Sequence, residues 1–232
     1  ASGIGNSVAR YFAERGARIV GVDLNDSVAA AMAELPGDGH HGIAQDLTAE
    51  GAAQKVVEEA VGVAGTVDIL VTSAGVVLLD TALVLSERMW DATISANLSA
   101  SFKMAQAAGR VMTEKGHGRI INLASQASVI GLDQHVAYCA SKAGVVGMTK
   151  VLSMEWAPQG VTVNAVSPTV VETPLGKQAW AGEKGEAMKK LIPVGRFAQP
   201  EEVAALIAYL AGPNAGMITG ENILIDGGYS SI

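Results

Sequence analysis

Short apolar runs alternate with longer amphipathic ones along the chain. Residues 18–23, 42–45, 67–71, 119–123, 161–166 and 222–226 are brief, mostly Val-, Ile- and Leu-rich segments, and that length and composition predict buried strands. The stretches between them carry helical spacing and predict helices near 6–15, 28–35, 48–63, from Ser86 past Asn97 to about Met112, 137–156 and 200–210. Ser86 has the chemistry of an N-cap. Pro200 suits the first position of its helix, with Glu201 and Glu202 near the positive end. Residues 167–199, with Pro168, Pro174 and Pro193, are less regular. Strict alternation of strand and helix predicts an α/β fold of one doubly wound (Rossmann-type) parallel sheet with helices on both faces. No repeat or linker divides residues 1–232, so a single domain is expected.

The first residues, Ala1-Ser2-Gly3-Ile4-Gly5, enter a helical pattern at once. A glycine turn of this kind normally follows a strand, and that strand would be central in the sheet. Dropping it would bare two hydrogen-bonding edges. The first strand is therefore expected ahead of Ala1, making the domain N-terminally incomplete as written; intact mass of the natural protein should show the extra residues.

Composition narrows the function. Hydrophobic residues at 49% and charged residues at 17% exclude disorder, and 4% aromatics leave a core of Ala, Val, Ile and Leu. A net charge of −7 disfavours a nucleic-acid partner. One cysteine excludes an internal disulfide, and the four histidines have no metal-ligand spacing, so no metal site is expected. No apolar run reaches the ~18 residues of a membrane span, and no basic-then-apolar leader is visible; the expected setting is the cytoplasm.

Gly3 and Gly5 sit where bare backbone N–H groups at a helix start can approach a pyrophosphate. Asp23 ends the next strand, where a carboxylate can grip both ribose hydroxyls, and no Arg or Lys follows for a 2′-phosphate, so NAD is expected over NADP. Asp46 fits either an adenine contact or a helix-start turn ahead of Thr48. Thr72-Ser73-Ala74-Gly75 follows the fourth predicted strand, at the carboxyl edge where ligands lie in such sheets.

Tyr138 and Lys142, four residues apart, share a helix face. A free phenol titrates near pH 10, and about 4 kcal/mol of preference for the phenolate lowers that by ~3 units. A neighbouring ammonium and an oxidised nicotinamide supply opposite charge for it. Ser125, just beyond a strand, can hold the oxygen that Tyr138 protonates or deprotonates. Asn97, an amide inside a polar-poor helix, can anchor a water between Lys142 and solvent.

The sequences 1–5, Asn97, 120–125, Tyr138-Cys-Ala-Ser-Lys142, Asn164-Ala-Val-Ser-Pro168 and Ile225-Asp-Gly-Gly228 resemble, in order and over essentially the whole chain, the short-chain dehydrogenase/reductase family. The resemblance implies a Ser125-Tyr138-Lys142-Asn97 catalytic group, no metal in the chemistry and commonly a homotetramer. It implies cofactor contacts from Ser2, Gly3, Ile4, Gly5, Asp23, Asp46, Leu47, Ala74, Gly75, Tyr138, Lys142, Pro168, Val171 (by its backbone) and Thr173. Thr72-Ser73 replaces the family's Asn-Asn, and Pro168-Thr169 replaces Pro-Gly. Residues 166–180 resemble members acting on small sugar alcohols, with Gln126, Gln134, His135 and Trp180 available to line a pocket. The expected reaction is hydride transfer between NAD(H) and a secondary alcohol or ketone, such as a tetritol and its ketose. The alternatives are a 3-oxoacyl carrier-protein reductase and a non-catalytic dinucleotide-sensing scaffold.

Overall fold

The computed structural model describes residues 2–231; Ala1, part of the first motif, lies outside them, as does Ile232. Six strands are described, β1 (Val20–Asp23), β2 (His41–Ala44), β3 (Ile69–Thr72), β4 (Gly118–Leu123), β5 (Val161–Pro168) and β6 (Asn222–Ile225). The helices are α1 (Gly3–Ala13), α2 (Val28–Ala33), α3 (Ala52–Ala64), α4 (Glu87–Ile94), α5 (Ala100–Lys115), α6 (Val136–Trp156), α7 (Pro174–Ala179), α8 (Glu183–Leu191) and α9 (Pro200–Ala211).

All strand pairs are parallel, β1 with β2 and β3-β4-β5-β6 in sequence. Among the described residues β1 and β3 each pair along one edge only. The one sheet expected from the sequence is therefore seen as two pieces.

The side-chain alternation of a strand explains the two covered faces. Ile120, Val161 and Val163 bury against Val56 and Val57 of α3 and Met104 and Met112 of α5. Their neighbours Ile121, Leu123 and Val166 turn the other way, onto Val8 of α1 and Val203, Ile207 and Leu210 of α9. Ile120, Ile121, Val161, Val163 and Val166 are at most 1% exposed. Each such side chain contributes about 1.5–3 kcal/mol by leaving water.

The structure departs from the sequence reading most at the following places. α3 begins at Ala52, not near Thr48, because Asp46 and Thr48 form a side-chain turn and Gly51 (φ 72°) precedes the helix. The long helix after Ser86 is interrupted by a π-turn at Ser95–Ser99. The irregular region holds two short helices, α7 and α8, and β5 continues to Pro168. Ser86 does cap α4, accepting from Met89 N at 3.3 Å.

Gly160, at the entry to β5, has φ 77°, and a Cβ there would lie 2.2 Å from the Gly116 carbonyl oxygen. Gly160→Ala should cost about 2–4 kcal/mol, combining left-handed backbone strain with a backbone clash. Urea unfolding checks this.

Candidate active site

Parallel strands end on one side, so Asp23, Thr72, Leu123, Pro168 and Ile225 bring the loops that follow them to a common carboxyl edge. Ser125 lies two residues beyond β4 in extended backbone, 9% exposed, its Oγ accepting from Ala127 N at 3.2 Å. Tyr138 is in the first turn of α6, and its phenol faces the Ser125 side chain, which favours the ionised form. Lys142, one turn further, donates from Nζ to the Leu123 carbonyl at 2.7 Å, fastening α6 to the end of β4. Its Nζ lies 5.8 Å from the Tyr138 ring centroid. Three residues distant in sequence or on different elements thus meet at one point.

Asn97 sits in the π-turn, fully buried. Such turns often mark functional positions in helices. Its Oδ1 accepts from Val76 N at 2.7 Å, while Nδ2 donates to Val76 O (2.9 Å) and Ser141 Oγ (3.1 Å). The amide therefore pins the loop after β3 to α6. A Cβ on Gly75 would stand 2.9 Å from Asn97 Oδ1 and 3.8 Å from Lys142 Nζ. The bare glycine leaves space between those two groups, which suits the water expected there.

Residues expected to contact a cofactor lie along the same edge. α1 starts at Gly3 (φ 58°), with no side-chain cap from Ser2 and no acid in its first turn, so its leading N–H groups face no competing carboxylate on the helix itself. A Cβ on Gly3 would be 3.8 Å from Thr173 Cγ2, and one on Gly5 3.5 Å from Ser73 Oγ. The turn carrying Ile4 is thereby flanked by the loops after β3 and β5. Ala74 and Gly75 are exposed there. Asp23 ends β1 and accepts from Asn25 N at 3.0 Å.

Val171 bridges Ala198 in parallel, which turns its own N–H away from that partner. Thr173 caps α7, accepting from Gly176 N at 3.0 Å. An uncapped helix start, a carboxylate one strand over and bare glycines between them fit a dinucleotide.

A family model described as enoyl-(acyl carrier protein) reductase matches residues 1–230. The chain is 53% identical to an NAD-dependent glycerol dehydrogenase of Listeria innocua over 230 residues, covering 99% of this chain and 91% of that one. It is 52% identical to a D-threitol dehydrogenase of Mycolicibacterium smegmatis, covering 99% and 90%. A 3-oxoacyl-[acyl-carrier-protein] reductase of Vibrio cholerae is more distant, at 37% over 97% and 92%. The crystal structure of gox2181 superposes with a TM-score of 0.94 at 34% identity, covering 100% of this chain and 93% of that one. The chain is a short-chain dehydrogenase/reductase. This dehydrogenase/reductase is accordingly an oxidoreductase working with a nicotinamide dinucleotide.

In this short-chain dehydrogenase/reductase burial pushes the Tyr138 phenol up, and the neighbouring Ser125 side chain only partly opposes it. Burial also pushes Lys142 down to about 8. The lowering expected from Lys142 together with an oxidised nicotinamide belongs to the loaded site; without the cofactor, desolvation penalises both charged forms and the amine is aimed at the Leu123 carbonyl.

A lysine held low when folded sheds its proton before the unfolded chain does. Between pH 8 and 10.5 the unfolded state therefore binds more protons, and stability rises with pH across that window. The unfolding free energy of the wild type relative to Lys142→Met should climb there and stay flat below pH 8.

Other sequence-named residues are distributed unevenly. Asp46 accepts from Thr48 N (2.8 Å) and Thr48 Oγ1 (2.7 Å), so its side chain closes a turn ahead of α3. Leu47 packs on the core beneath. Gln126 follows Ser125, 4% exposed, and its Oε1 has no partner among the described residues. His135 begins α6 with its ring edge-on to Tyr138, centroids 6.1 Å apart. Gln134 adopts φ 61°, and its carbonyl accepts from Asp80 N at 3.3 Å, tying two loops at this edge.

Trp180 is placed against Phe197, at 6.1 Å, in a cluster with Met188 and Ile192. Pro168 is buried at the end of β5, and Thr169 N donates to Ile225 O, prolonging the ladder where the family has glycine. Thr72, standing for the family's asparagine, donates to Asn122 Oδ1 at 2.9 Å, and Asn122 Nδ2 donates to Thr149 Oγ1 at 2.9 Å.

Sequence reasoning missed Val76 and Ser141 as the partners that hold Asn97. Ser141 lay inside the Tyr138-to-Lys142 motif, whereas nothing marked Val76. Among the described residues no helix is long and apolar enough to cross a membrane, and no group of His, Cys, Asp or Glu is arranged to hold a metal.

Proposed function

We propose that this enzyme oxidises a secondary hydroxyl of a small polyol, with NAD as the cofactor and Tyr138 as the acid/base. The observation that carries the reading is the meeting of Ser125, Tyr138 and Lys142 at the carboxyl edge, beside an uncapped helix start. The polyol assignment rests on the names of two relatives at 53% and 52% identity across nearly the full chain.

When bound, the nicotinamide ring takes up or delivers the hydride. Ser125 Oγ holds the substrate oxygen in reach of the phenol, and Tyr138 takes its proton in oxidation and returns it in reduction. Lys142, anchored on Leu123, binds the adjoining ribose and adds positive charge that favours the phenolate. Asn97 holds Val76, and with it the loop forming one wall, and a water beside Gly75 links Lys142 outward. Val171 and Thr173 meet the carboxamide, Gln126 and His135 face further hydroxyls, and Asp46 and Leu47 border the adenine. The family resemblance supports a homotetramer, for which the exposed Trp90, Phe102 and Met154 offer apolar surface.

Asp23 selects NAD. A carboxylate accepts from both ribose hydroxyls and repels a 2′-phosphate. Asp23→Ser should shift the ratio of kcat/KM for NAD over NADP by roughly 10- to 100-fold toward NADP, from about 1.4–3 kcal/mol of differential binding. An unchanged ratio removes Asp23 from the ribose site.

The reading as a whole is tested by screening glycerol, tetritols and larger polyols with NAD and following absorbance of the reduced cofactor. Turnover of a polyol supports it. A chain that ignores every polyol yet reduces 3-oxoacyl thioesters with NADPH overturns it in favour of the acyl reductase.

A further inference from the structure

The Asp226-Gly227-Gly228 turn near the end of the chain has no place in the cofactor cradle or the Ser125–Tyr138–Lys142 group. Asp226 follows β6 and is 6% exposed. Its Oδ1 accepts from Gly228 N at 3.0 Å, and its Oδ2 accepts from Ser230 N at 2.9 Å and from the Ser230 hydroxyl. Burial opposes this carboxylate, but the Ser230 and Gly228 donors outweigh it and hold the group below its ordinary range. One buried side chain thus folds residues 226–230 into a fixed loop.

That loop presses on the segment after α8. Gly227 and Gly228 have φ 65° and 88°, a backbone that side chains resist. A Cβ on Gly227 would fall 2.7 Å from Ile192 Cγ2 and 3.2 Å from Val194 Cβ, and one on Gly228 3.2 Å from Pro193 Cγ. Val194 N donates to the Gly227 carbonyl at 3.1 Å. Tyr229 joins Met188, Ile192 and Phe197, the cluster that also takes Val170 and Trp180.

Elsewhere the segment is held by buried Gly185 and Met188 of α8 and by the Arg196 ion pair with Glu202 of α9, which leaves α7 as its loosely held part. α7 buries no residue, and its Leu175 is 75% exposed. The base of the segment is closed by the Val171–Ala198 bridge, and Glu172 N donates to Ala198 O at 2.9 Å. Between that base and the Asp226 loop runs the stretch bearing Thr173, whose methyl lies beside Gly3.

We propose that Asp226 is a positioning residue whose loop latches the α7–α8 segment, fixing Val171 and Thr173 over the cofactor and setting the wall of the substrate pocket. This rests on the reading of Val171 and Thr173 as nicotinamide contacts. Asp226→Asn exchanges one acceptor oxygen for an N–H that faces another donor, so the loop loosens while β6 keeps its ladder. Ser230→Ala removes only the hydroxyl contact and serves as the milder version.

The test is limited trypsin digestion of the full chain, with NADH binding measured alongside. In Asp226→Asn, cleavage after the exposed Lys177 and Lys184 should quicken roughly tenfold, saturating NADH should slow it again, and NADH should bind roughly five- to tenfold more weakly. The KM for a polyol should rise by a similar factor with kcat within about twofold, a split that uniform binding loss produces and global unfolding does not. Wild-type cleavage and NADH affinity would overturn the latch. So would faster cleavage spread over the whole chain with a matching fall in Tm. If Asp226→Asn does not fold, Ser230→Ala decides by the same readouts at smaller size. Digestion and NADH binding need no substrate, so an enzyme that shows the latch but oxidises no polyol defeats the substrate reading alone.

Discussion

Tyr138→Phe should reduce turnover by about 10²–10⁴-fold, the range that a positioned acid/base contributes. NADH binding should stay close to that of the wild type, because the ring, its edge-on contact with His135 and the helix around it are kept. The variant loses only the phenol oxygen that faces Ser125. In the cofactor-free protein the phenol is pushed up by burial, so its ionisation depends on charge brought by the loaded site. The rate of the wild type should accordingly rise with pH toward an ionisation set by the cofactor complex, and the phenylalanine enzyme should lack that rise. Steady-state rates across pH, with cofactor fluorescence titration, check both statements. Retained turnover would remove the acid/base role.

Asn97→Leu should be the more damaging change to the fold. The leucine approximates the shape but leaves Val76 N–H, Val76 C=O and the Ser141 hydroxyl without their amide partner. Val76 is 39% exposed, so water replaces part of its bonding, and Ser141 keeps its bond to the Tyr138 carbonyl; at about 1–3 kcal/mol for each group left unpaired, a loss of about 2–4 kcal/mol is expected. Activity should fall further than stability, because the loop from Ala74 to Val77 and the space beside Lys142 are set by that amide. Asn97→Asp keeps the acceptor for Val76 N–H and should recover part of the stability. Urea unfolding with kcat/KM separates the two effects.

The sheet and its helices were legible because apolar periodicity is dictated by burial on two faces, as the opposite fates of Ile120 and Ile121 show. The grouping of Ser125, Tyr138 and Lys142 was legible for a different reason. A strand end and two residues one helical turn apart leave few ways to meet in a parallel sheet.

What escaped the sequence was contact between segments far apart along the chain. Val76 looks like any loop valine until Asn97 is seen holding its backbone. Trp180 packs edge-on against Phe197, a contact that spans seventeen residues and leaves no periodic signal. The turn that Asp46 closes with Thr48, which no periodicity reports, accounts for the start of α3 at Ala52. The two short helices α7 and α8 were hidden by the glycines and prolines around them, which mark breaks but not what lies between.

The most direct measurement is a crystal structure of the enzyme with NADH and an oxidisable polyol, a pair that cannot react. The account predicts one substrate hydroxyl oxygen within about 3 Å of both Ser125 Oγ and the Tyr138 phenol oxygen, facing the nicotinamide. A polyol bound elsewhere, or a nicotinamide ring lying away from Tyr138 and Lys142, would contradict it.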